Sequence, residues 1–229
     1  MFRNLIHKVT LALINLSEKA RLCLIACSVL KKELEKLVKQ GDLDVDLVFV
    51  SKYFHVDYEL LEKSLRRVVE KSLSRSKGKI ILVYGDLCLG PNNEMKKLAE
   101  EYGLAKVDAL NCVDCLLGGK GKVLGADPDH DLLFLYPGMI GFFSHFKEKA
   151  QQENMDEESF NKLFTGLKGI AFLDTLGEPE KNKEEIGKLR TGLEVVETRA
   201  VGLANLKQLL LEAMELKRQK PSKKGCLDS

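Results

Sequence analysis

Strand-like apolar runs alternate with helical patterns over almost the whole chain, and this alternation restricts the fold more than any other feature of the sequence. One run, KIILVYG at 79–85, is apolar almost throughout, as expected of a central strand covered on both faces. Strands that alternate with helices form a mostly parallel sheet with helices on both faces. The sequence therefore predicts an α/β fold, a three-layer Rossmann-like domain with a mostly parallel sheet of about seven strands. The strand candidates are 21–27, 44–51, 79–85, 105–110, 132–138, 169–175 and 193–201.

The same patterns predict how the chain is divided. Residues 1–20 are predicted to form an amphipathic helix, residues 21–217 a single α/β domain, and residues 218–229 a disordered basic tail. We expect the N-terminal helix to pack on the domain or on a partner subunit, which would make the protein a homodimer. The helix has one apolar face, formed by Phe2, Leu5, Ile6, Val9, Leu13 and Leu16.

The composition argues against several classes of protein. The formal net charge is +2, aromatic residues make up 7% and tryptophan is absent, so nothing indicates a surface for nucleic acid. No apolar run approaches the roughly 20 residues that span a bilayer, which argues against a membrane protein. Six cysteines without a secretion signal do not indicate the disulfide framework of a small secreted protein. We therefore expect a cytoplasmic protein whose reduced thiols are free for metal binding or catalysis.

Four cysteines follow the predicted strands. Cys27 ends the first run, Cys88 lies just beyond the third, and Cys112 and Cys115 lie beyond the fourth. The loops that follow parallel strands lie side by side at one edge of the sheet, where ligands usually bind. The sequence therefore predicts that these thiols converge on one site.

The residue types at this edge indicate a soft metal. Thiolates favour zinc, copper(I) and iron–sulfur clusters, and the spacing of Cys112 and Cys115 lets two sulfurs share one metal. Because no second CxxC motif is present, Cys27 and Cys88 are the candidates for the remaining ligands. His145, in a loop predicted at the same edge, is a further candidate as fourth ligand or general acid.

Two other interpretations of the cysteines remain open. Free cysteines are often small buried apolar residues, and Cys23, in the middle of a predicted strand, fits that interpretation. Cys112 and Cys115 could also form a dithiol–disulfide pair, but such pairs normally open a helix. The glycines that follow leave room for only a short helical turn, and the glycine-rich stretch 118–125 matches no phosphate-binding pattern. We interpret that stretch as a surface hairpin.

Short motifs with cysteine, glycine and tyrosine follow one another at the strand ends. They are IAC at 25–27, YGDxC at 84–88, NCxxxLLG at 111–118, LYPG at 135–138 and GIAFLDT at 169–175. In order and spacing they resemble an uncharacterised domain family of methanogens and other anaerobes, often encoded beside corrinoid-dependent methyltransferases and their corrinoid proteins. The resemblance covers about residues 21–217.

The resemblance implies a setting rather than a reaction. Cys27, Cys88 and Cys112 fall on the three recurrent cysteines of the family, whereas Cys115 is an addition in this chain. Cys88 is displaced by one residue from the commoner placement, and Tyr136 stands where the family usually has threonine. The implied setting is anaerobic one-carbon or corrinoid metabolism, with a corrinoid protein or a methyltransferase as partner.

Together these observations predict a protein that binds a metal centre, with an iron–sulfur cluster as the first choice, and that acts in redox chemistry, maturation or catalysis in corrinoid or methyl-transfer metabolism. Cys27, Cys88, Cys112 and Cys115 are the predicted ligands. Two alternatives are a zinc-thiolate methyltransferase and a non-enzymatic accessory protein that binds a corrinoid or another cofactor. Predicted cofactor contacts come from Gly85, Gly118 and Gly138, which let loops approach closely, and from Asp86, with Asp114 as a further candidate to orient ligands or move protons.

Overall fold

The predicted apolar runs form parallel strands in the computed structural model, which describes residues 21–76 and 78–219. Every ladder between these strands is parallel. The predicted α/β, Rossmann-like class is therefore confirmed. The strands are β1 (Leu22–Cys27), β2 (Val45–Val50), β3 (Ile80–Val83), β4 (Ala105–Lys106), β5 (Leu132–Leu135), β6 (Gly169–Asp174) and β7 (Val195–Ala200).

The strands lie in two sheets, whereas the sequence indicated one. The first sheet has the order β2-β1-β3-β4 and the second has the order β5-β6-β7. Strand β1 is central in the first sheet, because it pairs with β2 from Leu22 to Cys27 and with β3 on its other side. Strand β4 is shorter than its apolar run because only Ala105 and Lys106 stay in the ladder with β3.

Helices connect the strands near the predicted positions, with two additions. The stretch 118–125 was predicted to be a hairpin, and that prediction is wrong, because a short helix begins at Lys122. A second short helix begins at Cys112 and ends where Gly118 takes a left-handed conformation (φ 101°). The helices are α1 (Lys31–Lys39), α2 (Tyr58–Ser76), α3 (Glu94–Glu101), α4 (Cys112–Leu117), α5 (Lys122–Ala126), α6 (Pro137–Gln152), α7 (Glu157–Lys162), α8 (Pro179–Leu189) and α9 (Ala204–Gln219), with 3₁₀ helices at Ser28–Leu30, Lys52–Val56 and Asp86–Leu89.

A shared core joins the two sheets. Buried residues of β1 and β3 pack in one cluster with Tyr136, Ala171 and Leu173, which belong to the second sheet or follow its first strand. Polar contacts add to this packing, since Lys36 Nζ donates to the Leu176 carbonyl (3.0 Å) and Lys52 Nζ donates to the Gly138 carbonyl (2.9 Å). The carboxyl ends of β1, β5 and β6 are therefore close together.

The ends of the chain bear on the predicted division into segments. Residues 1–20, with the predicted amphipathic helix, and residues 220–229 of the predicted tail lie outside the described residues. Helix α9 continues through Arg218 and Gln219, the first two residues of that predicted tail. Among the described helices, none has the length and apolar character needed to cross a membrane.

Candidate functional site

Cys27 ends β1 at the carboxyl edge of the first sheet and is 4% exposed. Its Sγ accepts a hydrogen bond from the backbone N–H of Val29 (3.4 Å) and lies 3.7 Å from Nδ1 of His55. Burial raises the pKa of the Cys27 thiol; the Val29 N–H opposes this rise, while Cys112 and Cys88 add to it. The thiol is therefore neutral at physiological pH, and a cation would be needed to hold it as a thiolate.

The other three cysteines approach Cys27 from two further loops. Cys88 lies in the 3₁₀ helix after β3, and burial raises its pKa to about 12, with a further contribution from Cys112. Burial likewise raises the pKa of Cys112 and of Cys115, and Cys112 and Cys88 both add to the rise at Cys115. Thiols affect one another in this way only at short range, so the residues singled out from sequence do gather at one place.

The CxxC motif opens a helix, although the sequence predicted at most a turn. Asn111 caps α4, because its Oδ1 accepts the backbone N–H of Asp114 (2.9 Å), and Cys112 is the first helical residue. Cys115 is completely buried, whereas Cys112 is partly exposed. Cys112 thus faces the loops that carry the other cysteines, and Cys115 lies behind it in the core.

Three buried polar side chains that the sequence analysis missed lie next to the cysteines. Tyr84 and Tyr136 are 1% and 0% exposed, and their hydroxyls have no hydrogen-bond partner among the described residues. Glu33 is also 0% exposed; its Oε1 accepts a hydrogen bond from Thr175 Oγ1 (2.8 Å), while Oε2 has no partner in the described part of the chain. Burial raises the pKa of Glu33, which favours its neutral form.

These three side chains are linked to the thiols. Burial raises the pKa of Tyr84, and Cys27 and Cys88 add to this effect. Burial also raises the pKa of Tyr136, with contributions from Cys112, Cys27 and Glu33. The two tyrosines therefore lie among the cysteines, and Glu33 lies beside Tyr136.

The 3₁₀ helix after β2 adds His55 and Lys52, which the sequence analysis also missed. The ring of His55 lies parallel to that of Tyr84, at 11° and 6.1 Å between centroids. Burial lowers the pKa of His55, so its imidazole is neutral and able to bind a metal. Burial likewise lowers the pKa of Lys52, although the nearby Cys27 opposes that effect.

The glycines predicted to contact a cofactor have separate roles. A Cβ added at Gly138 would lie 1.7 Å from the carbonyl oxygen of Val29, and one at Gly85 would lie 2.2 Å from the carbonyl oxygen of Leu110. These two glycines therefore let the loops that carry the cysteines approach closely. A Cβ at Gly118, the residue that ends α4, would contact Asn205 instead.

The two aspartates of the sequence analysis organise the loops. Asp86 pairs with Lys106 (2.7 Å) and Lys120 (2.9 Å). Burial alone would raise the pKa of Asp86, but the hydrogen bonds from both lysines outweigh it and lower that pKa. Asp114 is completely buried and accepts three backbone N–H groups, those of Leu110 (3.0 Å), Gly121 (3.0 Å) and Val123 (2.9 Å).

His145, the further candidate for a ligand or general acid, lies in α6. Its ring packs on that of Tyr53, with 4.1 Å between centroids. No contact described for this part of the chain joins it to the cysteines.

The donor types suit a soft metal, although the side chains are not yet placed for one. Within residues 21–76 and 78–219, no group of three or more His, Cys, Asp and Glu side chains is arranged to hold a metal ion. Changing a cysteine from one staggered rotamer to another moves its sulfur by about 3 Å, so side-chain rotation alone can bring neighbouring thiols to a common centre. Thiolates together with a neutral imidazole are the ligands that zinc and iron–sulfur centres use. The residues present therefore fit such a centre.

Comparison with known proteins gives one match. Residues 49–210 match the profile of a family described as a protein of unknown function, DUF1638. The matched range includes Cys88, Cys112 and Cys115 and begins after β1, which carries Cys27. No curated protein and no solved structure matches the chain.

Proposed function

The chain belongs to the DUF1638 family, whose function is unknown, and we propose that it binds a soft metal centre through Cys27, Cys88 and Cys112. The observation that carries the proposal is that these thiols, from three separate loops, lie close enough to raise one another's pKa. Mutual repulsion of this kind makes three thiolates unfavourable without a cation and favourable with one. An iron–sulfur cluster is the first choice, because three cysteines leave one iron open for a substrate or a further ligand.

Cys115 and His55 are the candidates for a fourth ligand. Cys115 lies in the same short helix as Cys112, but it is completely buried behind it. His55 is already next to Cys27 and neutral. The choice between them decides whether the centre is held by sulfur alone or by sulfur and nitrogen.

A zinc ion is the second candidate, and the position of His55 favours it. Two donors bound to one tetrahedral zinc ion lie about 3.5 Å apart. Sγ of Cys27 and Nδ1 of His55 are 3.7 Å apart, so both could bind one ion with little movement. A zinc-thiolate site of this type could activate a substrate thiol for methyl transfer.

The biological role that we propose is redox chemistry, maturation or catalysis in anaerobic corrinoid or methyl-transfer metabolism. It is supported by the resemblance of the motifs at 25–27, 84–88, 111–118 and 135–138 to the family of anaerobes described above. A corrinoid protein or a methyltransferase would be the partner. Gly85 and Gly138 support the proposal because they give the cysteine loops the close approach that a shared centre needs.

The experiment is elemental analysis with an absorption spectrum on the full chain purified without oxygen. We expect iron with acid-labile sulfide and a brown chromophore, or zinc at one ion per chain for the second candidate. The variant with Cys27→Ser, Cys88→Ser and Cys112→Ser should lose this metal. Cys23→Ala is the matched control, since Cys23 is also buried in β1 but lies in mid-strand, and it should keep the metal. Metal-free wild type with all thiols free would overturn the proposal.

A further inference from the structure

Three completely buried polar groups without partners lie together beside the cysteines. They are Oε2 of Glu33 and the hydroxyls of Tyr84 and Tyr136, and none has a hydrogen-bond partner among residues 21–76 and 78–219. Leaving a single buried polar group unpaired costs about 1–3 kcal/mol, so such groups are rare and call for an explanation. Three at one site indicate that a bound molecule completes their hydrogen bonds.

Lys52 adds a positive charge to this site. Its Nζ donates to the Gly138 carbonyl at 2.9 Å, and its charge acts on both Cys27 and Glu33. An ammonium group has three donors and no acceptor. We call the region lined by Glu33, Lys52, Tyr84 and Tyr136 the donor chamber.

The groups that line the donor chamber offer hydrogen-bond donors. Each tyrosine hydroxyl has a free O–H, and a neutral Glu33 carries its proton on the oxygen that Thr175 does not occupy. Four donors, one of them cationic, therefore face a site whose neighbouring thiols are also weak donors. A ligand that satisfies them must consist of acceptors and carry negative charge.

We infer that the donor chamber binds a small carboxylate, whose two oxygens accept hydrogen bonds from Tyr84, Tyr136 and Glu33 while Lys52 balances its charge. A carboxylate is an acceptor-only group with about four lone-pair sites, which matches the number of donors. Its planar shape suits a narrow space between two sheets better than a tetrahedral anion does. The inference deepens the proposed function, because it names a ligand for the same site, and it rests on that proposal for what the ligand does beside the cysteines.

A route to solvent is present on one side of the donor chamber. Lys52 and His55 are only partly buried, and so are Cys88 and Cys112. Tyr84, Tyr136 and Glu33 line the closed side. A small ligand can therefore enter past the 3₁₀ helix Lys52–Val56 without unfolding of a sheet.

The test is calorimetric titration of the full chain with acetate, and with acetamide as a neutral molecule of the same shape. We expect acetate to bind at least tenfold more tightly than acetamide, because acetamide lacks the charge and presents two donors to a site of donors. Tyr136→Phe, which removes only the hydroxyl, should weaken acetate binding about tenfold. Tyr102→Phe is the matched control, since the Tyr102 hydroxyl donates to Glu70 outside the donor chamber, and it should leave acetate binding unchanged.

Each opposite result would overturn the inference. These results are no saturable binding of acetate, equal binding of acetate and acetamide, tighter binding of inorganic phosphate, or unchanged affinity in both Tyr136→Phe and Tyr84→Phe. The titration is independent of metal content, which is measured separately. Metal without acetate binding would therefore reject the carboxylate alone, and acetate binding without metal would reject the proposed metal centre alone.

Discussion

Two buried carboxyl groups in this protein stand in opposite situations. Asp114 and Glu33 are both 0% exposed, but Asp114 accepts three backbone N–H groups and Glu33 has one oxygen without a partner in the described residues. The partners of Asp114 all come from its own loop, so its role is complete within the chain. Glu33 lies where two sheets meet, beside two hydroxyls that also lack partners. The comparison teaches that full satisfaction marks a structural group here, and its absence marks a ligand site.

The largest expected effect comes from removing the satisfied carboxylate. Asp114→Ala leaves three N–H groups of the α4–α5 loop without their acceptor, and at about 1–3 kcal/mol for each we expect the free energy of unfolding to fall by about 5 kcal/mol. Urea denaturation measures it. Asp108→Asn, an exposed aspartate of the same loop, is the control and should change the free energy of unfolding by less than about 0.5 kcal/mol. A loss of under about 1 kcal/mol in Asp114→Ala would contradict a structural role.

The second prediction concerns how the ligand region is held open for a partner. Gly138→Ala places a Cβ against the Val29 carbonyl, so the start of α6 must move away from the Cys27 loop. We expect a loss of about 3 kcal/mol in the free energy of unfolding, together with loss of metal binding. Gly187→Ala, in α8 with nothing within 4 Å of its Cβ, should instead stabilise the protein by about 0.5–1 kcal/mol. Equal stabilities of the two variants would show that close packing does not shape the site.

The sequence predicted those parts of the protein that depend on short segments. The α/β class and the parallel ladders were predicted from the apolar runs, and the gathering of the cysteines follows from the position of each thiol just after its strand. The helix at Cys112 was also within reach, since Asn111 is a good N-cap and Gly118 a good helix end. The glycine stretch that follows drew attention away from that short helix.

The other half of the site depends on the packing of one sheet on another. Glu33 faces Thr175 only because β6 comes close to α1, and no local pattern encodes that approach. The division of the strands into two sheets has the same origin. Glu33 did leave a signal, because it lies on the same helical face as Leu30, Leu34 and Leu37. A charged residue on an apolar stripe is unusual enough to be chosen as a candidate.

The third prediction uses pH to separate two carboxyl groups. Burial raises the pKa of Glu33 in the folded protein, so above about pH 4.5 the unfolded chain releases this proton before the folded protein does. The contribution of Glu33 to stability is therefore present at low pH and decreases as pH rises. Asp86 has a lowered pKa, since the hydrogen bonds from Lys106 and Lys120 outweigh its burial, and its contribution is lost as pH falls.

Two variants measured by denaturation across the pH range check this difference. Glu33→Gln should flatten the decrease in stability toward high pH, while costing only about 1 kcal/mol at low pH because the amide can still accept from Thr175. Asp86→Asn should flatten the decrease toward low pH. The same pH dependence in both variants would show that the two carboxyl groups do not differ in the way their contacts indicate.

The smallest expected effect has the most informative sign. Because the Tyr84 hydroxyl is buried without a partner among the described residues, Tyr84→Phe removes a polar group that costs free energy in the ligand-free protein. We expect Tyr84→Phe to stabilise the ligand-free protein by up to about 1 kcal/mol, whereas Tyr102→Phe, which loses a hydrogen bond to Glu70, should destabilise it by about 0.5–1 kcal/mol. Thermal denaturation of both variants without ligand measures the two signs. With acetate present, the order should reverse, because the Tyr84 hydroxyl then has an acceptor; a Tyr84→Phe variant that is destabilised under both conditions would mean that this hydroxyl already has a partner within the protein.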